Sequence, residues 1–394
     1  MEKTKSSLMN TYNRFPVKVD QAKGSYIRDA DGKEYLDFTA GIATCNLGHV
    51  PDAVENAVSR QLQNVWHCSN LYQIGPQQEL ADLLTDYSCM NQVFFCNSGA
   101  EANEAAIKLV RAYNSNNKTI AAFHQSFHGR TMATLSATGQ EKLHTGFKPL
   151  VEGFTFLTYN HFDSLYWLKE NPPAAVMLEL VQGEGGVIPA EENWINELVQ
   201  ICKDEGILVV IDEVQTGMGR TGTLFAYEQY GFEPDIITLA KGLGSGFPVG
   251  AMLAKEEVAD AFQPGSHAST FGGNPLASAA GVSTISEIVR LNILDNCMEM
   301  SEKLFTGLKQ LQDEYSQIKS IRGKGLLIGI VVEGAAVDLV TAAIGKNLLL
   351  TAAGQNVVRL VPPLIITEND VLLFFERFRM VLKLVNPAMT KYCD

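Results

Sequence analysis

Apolar residues follow two rhythms along this chain. Between residues 91 and 250, short runs that are apolar on both faces alternate with stretches of helical spacing. The runs lie at 92–96, 119–123, 174–180, 207–211 and 235–240. A strand with no polar face is covered on both sides, as strands of parallel sheets are. The intervening helical patterns, such as 194–205, supply the covers. The expected architecture here is α/β: a mostly parallel central sheet with helices on both faces.

The flanks differ. Residues 24–38 alternate around the turn cluster Asp29-Ala-Asp-Gly-Lys33 and read as a β-hairpin. Pro51-Asp52 opens a helix with Val54, Val58, Leu62 and Val65 on one stripe. A second helix starts at Pro76, with Leu80, Leu83, Leu84 and Tyr87 on one face. Beyond Gly273-Asn-Pro275 runs a long helical stretch, then a strand at 325–332, a helix at 336–344 and short strands at 348–351 and 357–361. Thr367-Glu-Asn-Asp370 caps a last helix to about Val385. This predicts a large domain at 51–280 and a smaller α+β domain at 281–394. An N-terminal segment, 1–50, is expected to pack with the smaller one.

Where the strands end matters more than where they run. The five runs end at Asn97-Ser98-Gly99-Ala100-Glu101, at His124 to Arg130, at Gln182-Gly183-Glu184, at Asp212-Glu213-Val214-Gln215 and at Lys241. Alone, Lys241 reads as the first residue of a solvated loop. Five polar termini on one sheet edge point instead to a site, because open α/β sheets bind ligands at the carboxyl ends of their strands.

Ser98 and Glu101 have the spacing of a helix capping box. They also fit a phosphate cradle, with small residues and free N–H groups at a helix start, and the two readings are compatible. Asp212 closes the most apolar strand, so its carboxylate calls for a cation. A protonated pyridine nitrogen is such a cation, and Lys241 supplies an amine for a Schiff base. Cradle, acid and lysine together make a pyridoxal 5'-phosphate site the most economical account.

Composition narrows the field. The 394 residues are 46% hydrophobic and 19% charged, with a net charge of −13. That balance disfavours nucleic acid and anionic membranes as partners. Seven cysteines without a C-x-x-C pair suit a reducing cytoplasm, and Cys96 reads as a buried structural thiol. The first residues, Met1-Glu-Lys-Thr-Lys-Ser-Ser7, lack the apolar core of a secretory signal, and no apolar run is long enough to span a bilayer.

Nearly the whole chain resembles the class III (subgroup II) aminotransferases of fold type I, and among them most closely the acetylornithine aminotransferases. The matching segments are Asn97-Ser-Gly-Ala-Glu-Ala-Asn103, Phe127-His-Gly-Arg130, Gln182-Gly-Glu-Gly-Gly186, Asp212-Glu-Val-Gln-Thr-Gly-Met-Gly-Arg220 and Lys241-Gly-Leu-Gly244. They continue through Pro264-Gly-Ser-His-Ala-Ser-Thr-Phe-Gly-Gly-Asn-Pro275, Ile321-Arg-Gly-Lys-Gly-Leu326 and Val358-Arg-Leu-Val-Pro-Pro363.

The resemblance implies roles. Lys241 forms the Schiff base and moves the proton. Asp212 keeps the pyridine nitrogen protonated, Gln215 meets the ring's phenolic oxygen, and Phe127 stacks on the ring. Ser98, Gly99 and Ala100 hold the phosphate, joined by Thr270 from the other subunit of a homodimer. Arg130 takes the substrate α-carboxylate. Ser269 lines the entrance. Glu184 and Arg359 form a switch pair: closed for the amino donor, N2-acetylornithine, and open for the second carboxylate of 2-oxoglutarate. The implied setting is arginine biosynthesis.

Two departures from the family pattern stand out. Gly48-His-Val-Pro-Asp52 replaces Gly-His-x-His-Pro and is one residue shorter. Ala268 stands where a glycine often precedes the Ser-Thr pair. Competing readings are weaker. Gly242-x-Gly244-x-Gly246 lacks the spacing and following helix of a dinucleotide fingerprint, and His124 with His128 lacks the helix and glutamate of a zinc pair. Ornithine, succinylornithine and 4-aminobutyrate remain alternative donors, since each offers a terminal amine. The segment Gly41-Ile-Ala-Thr-Cys-Asn46 lacks the tyrosine that ornithine δ-aminotransferases place there, which favours the acetylated donor.

Overall fold

The computed structural model describes residues 7–385. Residues 1–6, the greater part of the stretch that lacks a signal's apolar core, and residues 386–394 lie outside that range. β1 (Val19–Lys23), β2 (Tyr26–Asp29) and β3 (Glu34–Asp37) form an antiparallel meander, so the 24–38 hairpin is present.

Next come β4 (Gln92–Cys96), β5 (Ile120–Phe123), β6 (Phe154–Leu157) and β7 (Ala175–Leu178). A two-strand ribbon, β8 (Val181–Gln182) and β9 (Ile188–Pro189), follows. β10 (Leu208–Asp212), β11 (Ile236–Leu239) and β12 (Gly250–Ala254) complete a seven-stranded sheet in the order β4-β12-β11-β10-β7-β5-β6. Six strands run parallel. β12 runs against both of its neighbours.

The sequence pattern did not flag β6 or β12. β12, Gly-Ala-Met-Leu-Ala, opens on a glycine and carries no β-branched residue.

Alternation along the strands assigns the two faces. Ile120, Ala175, Met177, Leu208, Val210 and Ile236 pack with Ala105, Ala106 and Leu109 of the helix Gly99–Tyr113. Ala121, Val176, Leu178, Val209, Ile211 and Ile237 belong to the opposite core, with Trp194, Ile195 and Leu198 of the helix Glu192–Glu205. By the same period of two, Glu179, Asp212 and Thr238 emerge on the face of the helix Gly99–Tyr113.

The C-terminal region carries β13 (Ile318–Lys324), β14 (Leu327–Val332), β15 (Leu348–Leu349), β16 (Thr351–Ala353) and β17 (Val357–Leu360). Four of these form an antiparallel sheet, β13-β14-β17-β16. β15 instead pairs in parallel with β3, which joins the N-terminal meander to this region. The long helical stretch divides into Pro275–Arg290 and Ile293–Glu314, parted at Asn292 in a left-handed conformation. Thr367 and Asp370 exchange capping bonds at the last helix, Glu368–Val385.

The apolar stripe after Pro51 is corrected. The helix ends at Leu62, and within this chain the stripe faces outward at its C-terminal half. Val54 is buried, but Leu62 and Val65 are 43% and 48% exposed. Trp66, Leu71, Tyr72 and Phe271 extend this exposed apolar surface. The segments 65–72 and 267–272 are tied together, for Asn70 donates to Ser269 O and Gly272 O, both at 3.0 Å. The shortened segment before the helix turns through Val50 at φ 47°, and His49 Nε2 bonds Asp37 Oδ2 at 2.8 Å. Among the described residues, no helix is long and apolar enough to cross a membrane.

Candidate active site

A cavity of about 530 Å³ opens at the carboxyl edge of the large sheet. Its walls include Ser98, Gly99, Ala100, Phe127, Arg130, Asp212, Gln215 and Lys241. Eight of the twelve residues selected from sequence thus meet in one place.

The cradle sits where β4 hands over to the helix Gly99–Tyr113. Ser98 is the N-cap, and its Oγ accepts from Glu101 N at 3.2 Å. Glu101 reaches back to Asn97 N (2.6 Å) rather than to Ser98, so the expected capping box is shifted by one residue. The N–H groups of Gly99 and Ala100 find no acceptor among the described residues. They point the positive end of a four-turn helix at the cavity. Gly99 is there for close approach: a Cβ would lie 2.6 Å from Val214 Cγ1.

Asp212 is 3% exposed. Its Oδ2 accepts from Asn103 Nδ2 at 2.7 Å and pairs with His128 Nδ1 at 2.8 Å, and its Oδ1 accepts from Val214 N at 3.0 Å. Thr238 Oγ1 donates to Asn103 Oδ1 at 2.7 Å, which fixes the amide so that its NH₂ faces Asp212. Burial pulls the His128 pKa down, but the hydrogen bond and charge of Asp212 outweigh it and raise it overall. Sequence reasoning gave Asp212 no protein partner. One signal was available: Asn103 lies on the apolar face of its helix beside Ala102, Ala105 and Ala106, and a buried amide there needs a polar neighbour.

Lys241 follows β11 and begins a short 3₁₀ turn at φ 43°, a left-handed conformation that strains a residue with a Cβ. Its ammonium makes no hydrogen bond or ion pair within the described residues. Burial holds its pKa below the ordinary lysine value, against the opposing pull of the Glu184 carboxylate.

Behind the wall, Arg359 of β17 places Nη1 2.6 Å from Glu184 Oε1 and 3.1 Å from Gln215 Oε1. Arg359 is 1% exposed. Burial pushes the Glu184 carboxyl up, but Arg359 and Lys241 overcome this and hold its pKa down. Arg130 is exposed and lies with its guanidinium 5.7 Å from the Phe127 ring centre.

Ser269 and Thr270 are not in this cavity. They line a neighbouring depression with Asn97, Glu101 and Phe271. Ser269 Oγ accepts from Asn97 Nδ2 (3.3 Å) and Gly272 N (3.0 Å), and Thr270 is exposed. Cys96 is buried and its pKa is pushed up to about 12, as befits a structural thiol.

An anion cradle, a buried carboxylate ready for a cation and an amine of lowered pKa converge on one sheet edge. Residues 8–382 match the family described as aminotransferase class-III. The chain belongs to that family, whose members are pyridoxal-phosphate-dependent transaminases. It is 53% identical to an acetylornithine aminotransferase of Oceanobacillus iheyensis over 384 residues, 96% of each chain. It is 48% identical to that of Bacillus subtilis over 369 residues, 93% of this chain and 95% of the other.

Among solved structures, it is similar to N-acetylornithine aminotransferase from Stenotrophomonas maltophilia. The TM-score is 0.83 at 36% identity, covering 96% of this chain and 98% of that one. Ornithine aminotransferase from Toxoplasma gondii superposes with a TM-score of 0.93 at 27% identity, covering 98% and 94%. Backbone shape is therefore shared across donors, and sequence identity separates them.

Proposed function

We propose that the chain transfers the terminal amino group of N2-acetyl-L-ornithine to 2-oxoglutarate, giving N-acetylglutamate 5-semialdehyde and L-glutamate. The observation that carries this reading is the Glu184–Arg359 pair beside Lys241. A paired arginine is a neutral wall for an uncharged acetamide. An unpaired one binds a second carboxylate in bidentate fashion. The names of the relatives at 48% and 53% identity support the acetylated donor. The same reading fits a step of arginine biosynthesis, and free cysteines throughout the described residues suit the cytoplasm.

The residues present fit pyridoxal phosphate: free N–H groups for its phosphate, a buried carboxylate for its ring nitrogen and an unpaired lysine. When bound, the cofactor supplies a ring that accepts electrons from a deprotonated carbon. Ser98, Gly99 and Ala100 hold the phosphate. Asp212, held by Asn103 and His128, keeps a proton on the ring nitrogen. Gln215 donates to the ring oxygen and Phe127 covers one ring face. Lys241 Nζ would act as the base and then the acid of a 1,3-proton shift, taking the proton from the amine-bearing carbon and releasing it two atoms away, a task suited to its lowered pKa. Arg130 binds the α-carboxylate, with Ser269 near the entrance.

The active unit in this reading is a homodimer. The exposed apolar surface of Leu62, Val65, Trp66, Leu71, Tyr72 and Phe271 supports it, because a patch of this kind marks an interface. Thr270, on the same face, then reaches the partner's phosphate.

Steady-state kinetics on N2-acetylornithine, ornithine, succinylornithine and 4-aminobutyrate with 2-oxoglutarate test the donor. The acetylated donor should give the highest kcat/KM, and a higher value for ornithine would overturn the assignment. Light scattering tests the dimer.

A further inference from the structure

Glu179 is a buried acid to which the reaction above gives no task. It lies just past the end of β7, is 4% exposed and forms part of the cavity wall. Its two oxygens do different work. Oε1 accepts from Phe127 N at 2.9 Å, and Oε2 accepts from Gly183 N at 3.2 Å. Phe127 belongs to the loop after β5 that also carries Arg130. Gly183 precedes Glu184. One carboxylate thus ties the loop that presents Arg130 to the loop that presents Glu184, the partner of Arg359.

The attachment is closely fitted. A Cβ at Gly183 would lie 2.4 Å from Gln215 Oε1, and Gln215 in turn receives a bond from Arg359. The chain also returns to this residue from outside, for Tyr159 donates its hydroxyl to Glu179 O at 2.7 Å. Burial lifts the Glu179 pKa to about 7, while the charge of His128 and, to a lesser degree, the Phe127 and Gly183 N–H groups pull the other way. An acid so costly to ionise is held where two main-chain donors need it.

We propose that Glu179 is a positioning residue that fixes the Arg130 loop and the Glu184 loop relative to each other, and so sets where Arg130 stands with respect to the Glu184–Arg359 pair. The inference rests on the transaminase reading and deepens it. It requires two acceptors on one side chain of the full glutamate length. Glu179→Gln keeps one acceptor and turns an NH₂ toward a second N–H. Glu179→Asp keeps the charge and loses the reach.

The test combines kinetics with hydrogen exchange on the full-length protein. In both variants the KM for 2-oxoglutarate should rise about tenfold, with kcat within about threefold and cofactor Kd within about twofold of wild type. Peptides covering 124–131 and 182–187 should exchange faster together, with the rest of the sheet unchanged. If Glu179→Gln does not accumulate folded, Glu179→Asp carries the test. Rescue by Glu179→Asp, exchange rising in one loop only, or unchanged KM would overturn the proposal. A wild-type protein that fails to transaminate would overturn the functional reading instead, and coupled exchange in the two loops still decides the role of Glu179.

Discussion

Arg359 sits 2.6 Å from Glu184, although 175 residues separate them and one lies on β17, the other in the turn between β8 and β9. The arginine is fully enclosed and the glutamate is not, its side chain being 31% exposed. The partner free to leave is therefore the acid. Removing it leaves a buried guanidinium with Gln215 Oε1 as its remaining protein acceptor. Glu184→Ala should lower kcat/KM for N2-acetylornithine about 10–100-fold and raise it for L-glutamate as donor, with cofactor affinity unchanged. Parallel kinetics with the two donors check this. Loss of cofactor with unaltered donor preference would mean that Glu184 is structural.

Lys241→Ala should cut turnover at least ~10⁴-fold and remove the visible band that a lysine-linked cofactor shows near ~420 nm. A variant that retains the band or turns over normally rules out this lysine as the attachment point.

The Asp212 network makes a separate claim. Asn103→Ala removes a hydrogen bond to a buried carboxylate and leaves Thr238 Oγ1 without its acceptor. Cofactor affinity should fall about 10–100-fold, in line with roughly 1.5–3 kcal/mol for such a bond. Fluorescence titration of apoprotein with the cofactor measures it, and an unchanged Kd would show that His128 alone suffices.

Glu213 gives a pH test independent of activity. Burial pushes its carboxyl up to about 7 from an ordinary 4.5. The folded protein therefore keeps this proton to a higher pH than the unfolded chain, so its contribution to stability falls as pH rises from about 4.5 to about 7 and then levels off. The full effect is on the order of 3 kcal/mol. Glu213→Gln abolishes it, and the variant's Tm relative to wild type should be higher at pH 8 than at pH 5. A difference that does not vary with pH would show that Glu213 is ionised at no cost.

Much of the site was legible because strand ends are chemically conspicuous. Lys241 and Asp212 follow apolar runs, and a charge at such a place has few explanations. Ser98 was legible through its capping spacing. Asn103 and Glu179 were not, since each works through a residue distant in sequence and carries no local pattern. His128 was noticed, but the lure was its spacing from His124, whereas its actual partner, Asp212, lies 84 residues away. The stripe through Leu62 and Val65 was legible as apolar. Helical spacing does not say whether an apolar face meets the same chain or another surface.

β12 is the lone reversed strand of the large sheet, and it lies between the strand that delivers Lys241 and the strand that delivers Ser98. Gly250 pairs with Cys96, and a Cβ on it would strike Ser98 O at 2.5 Å. The gap between lysine and cradle is thus measured out in rungs of a hydrogen-bonded ladder, each about 4.8 Å wide. β5 and β7 pair only through Ile120–Ala175 and Ala121–Val176, at the far end from the site, so the loops that follow them are spaced by side chains. One half of the site is built to stay constant whatever the donor, and the other half is where a new specificity would be written.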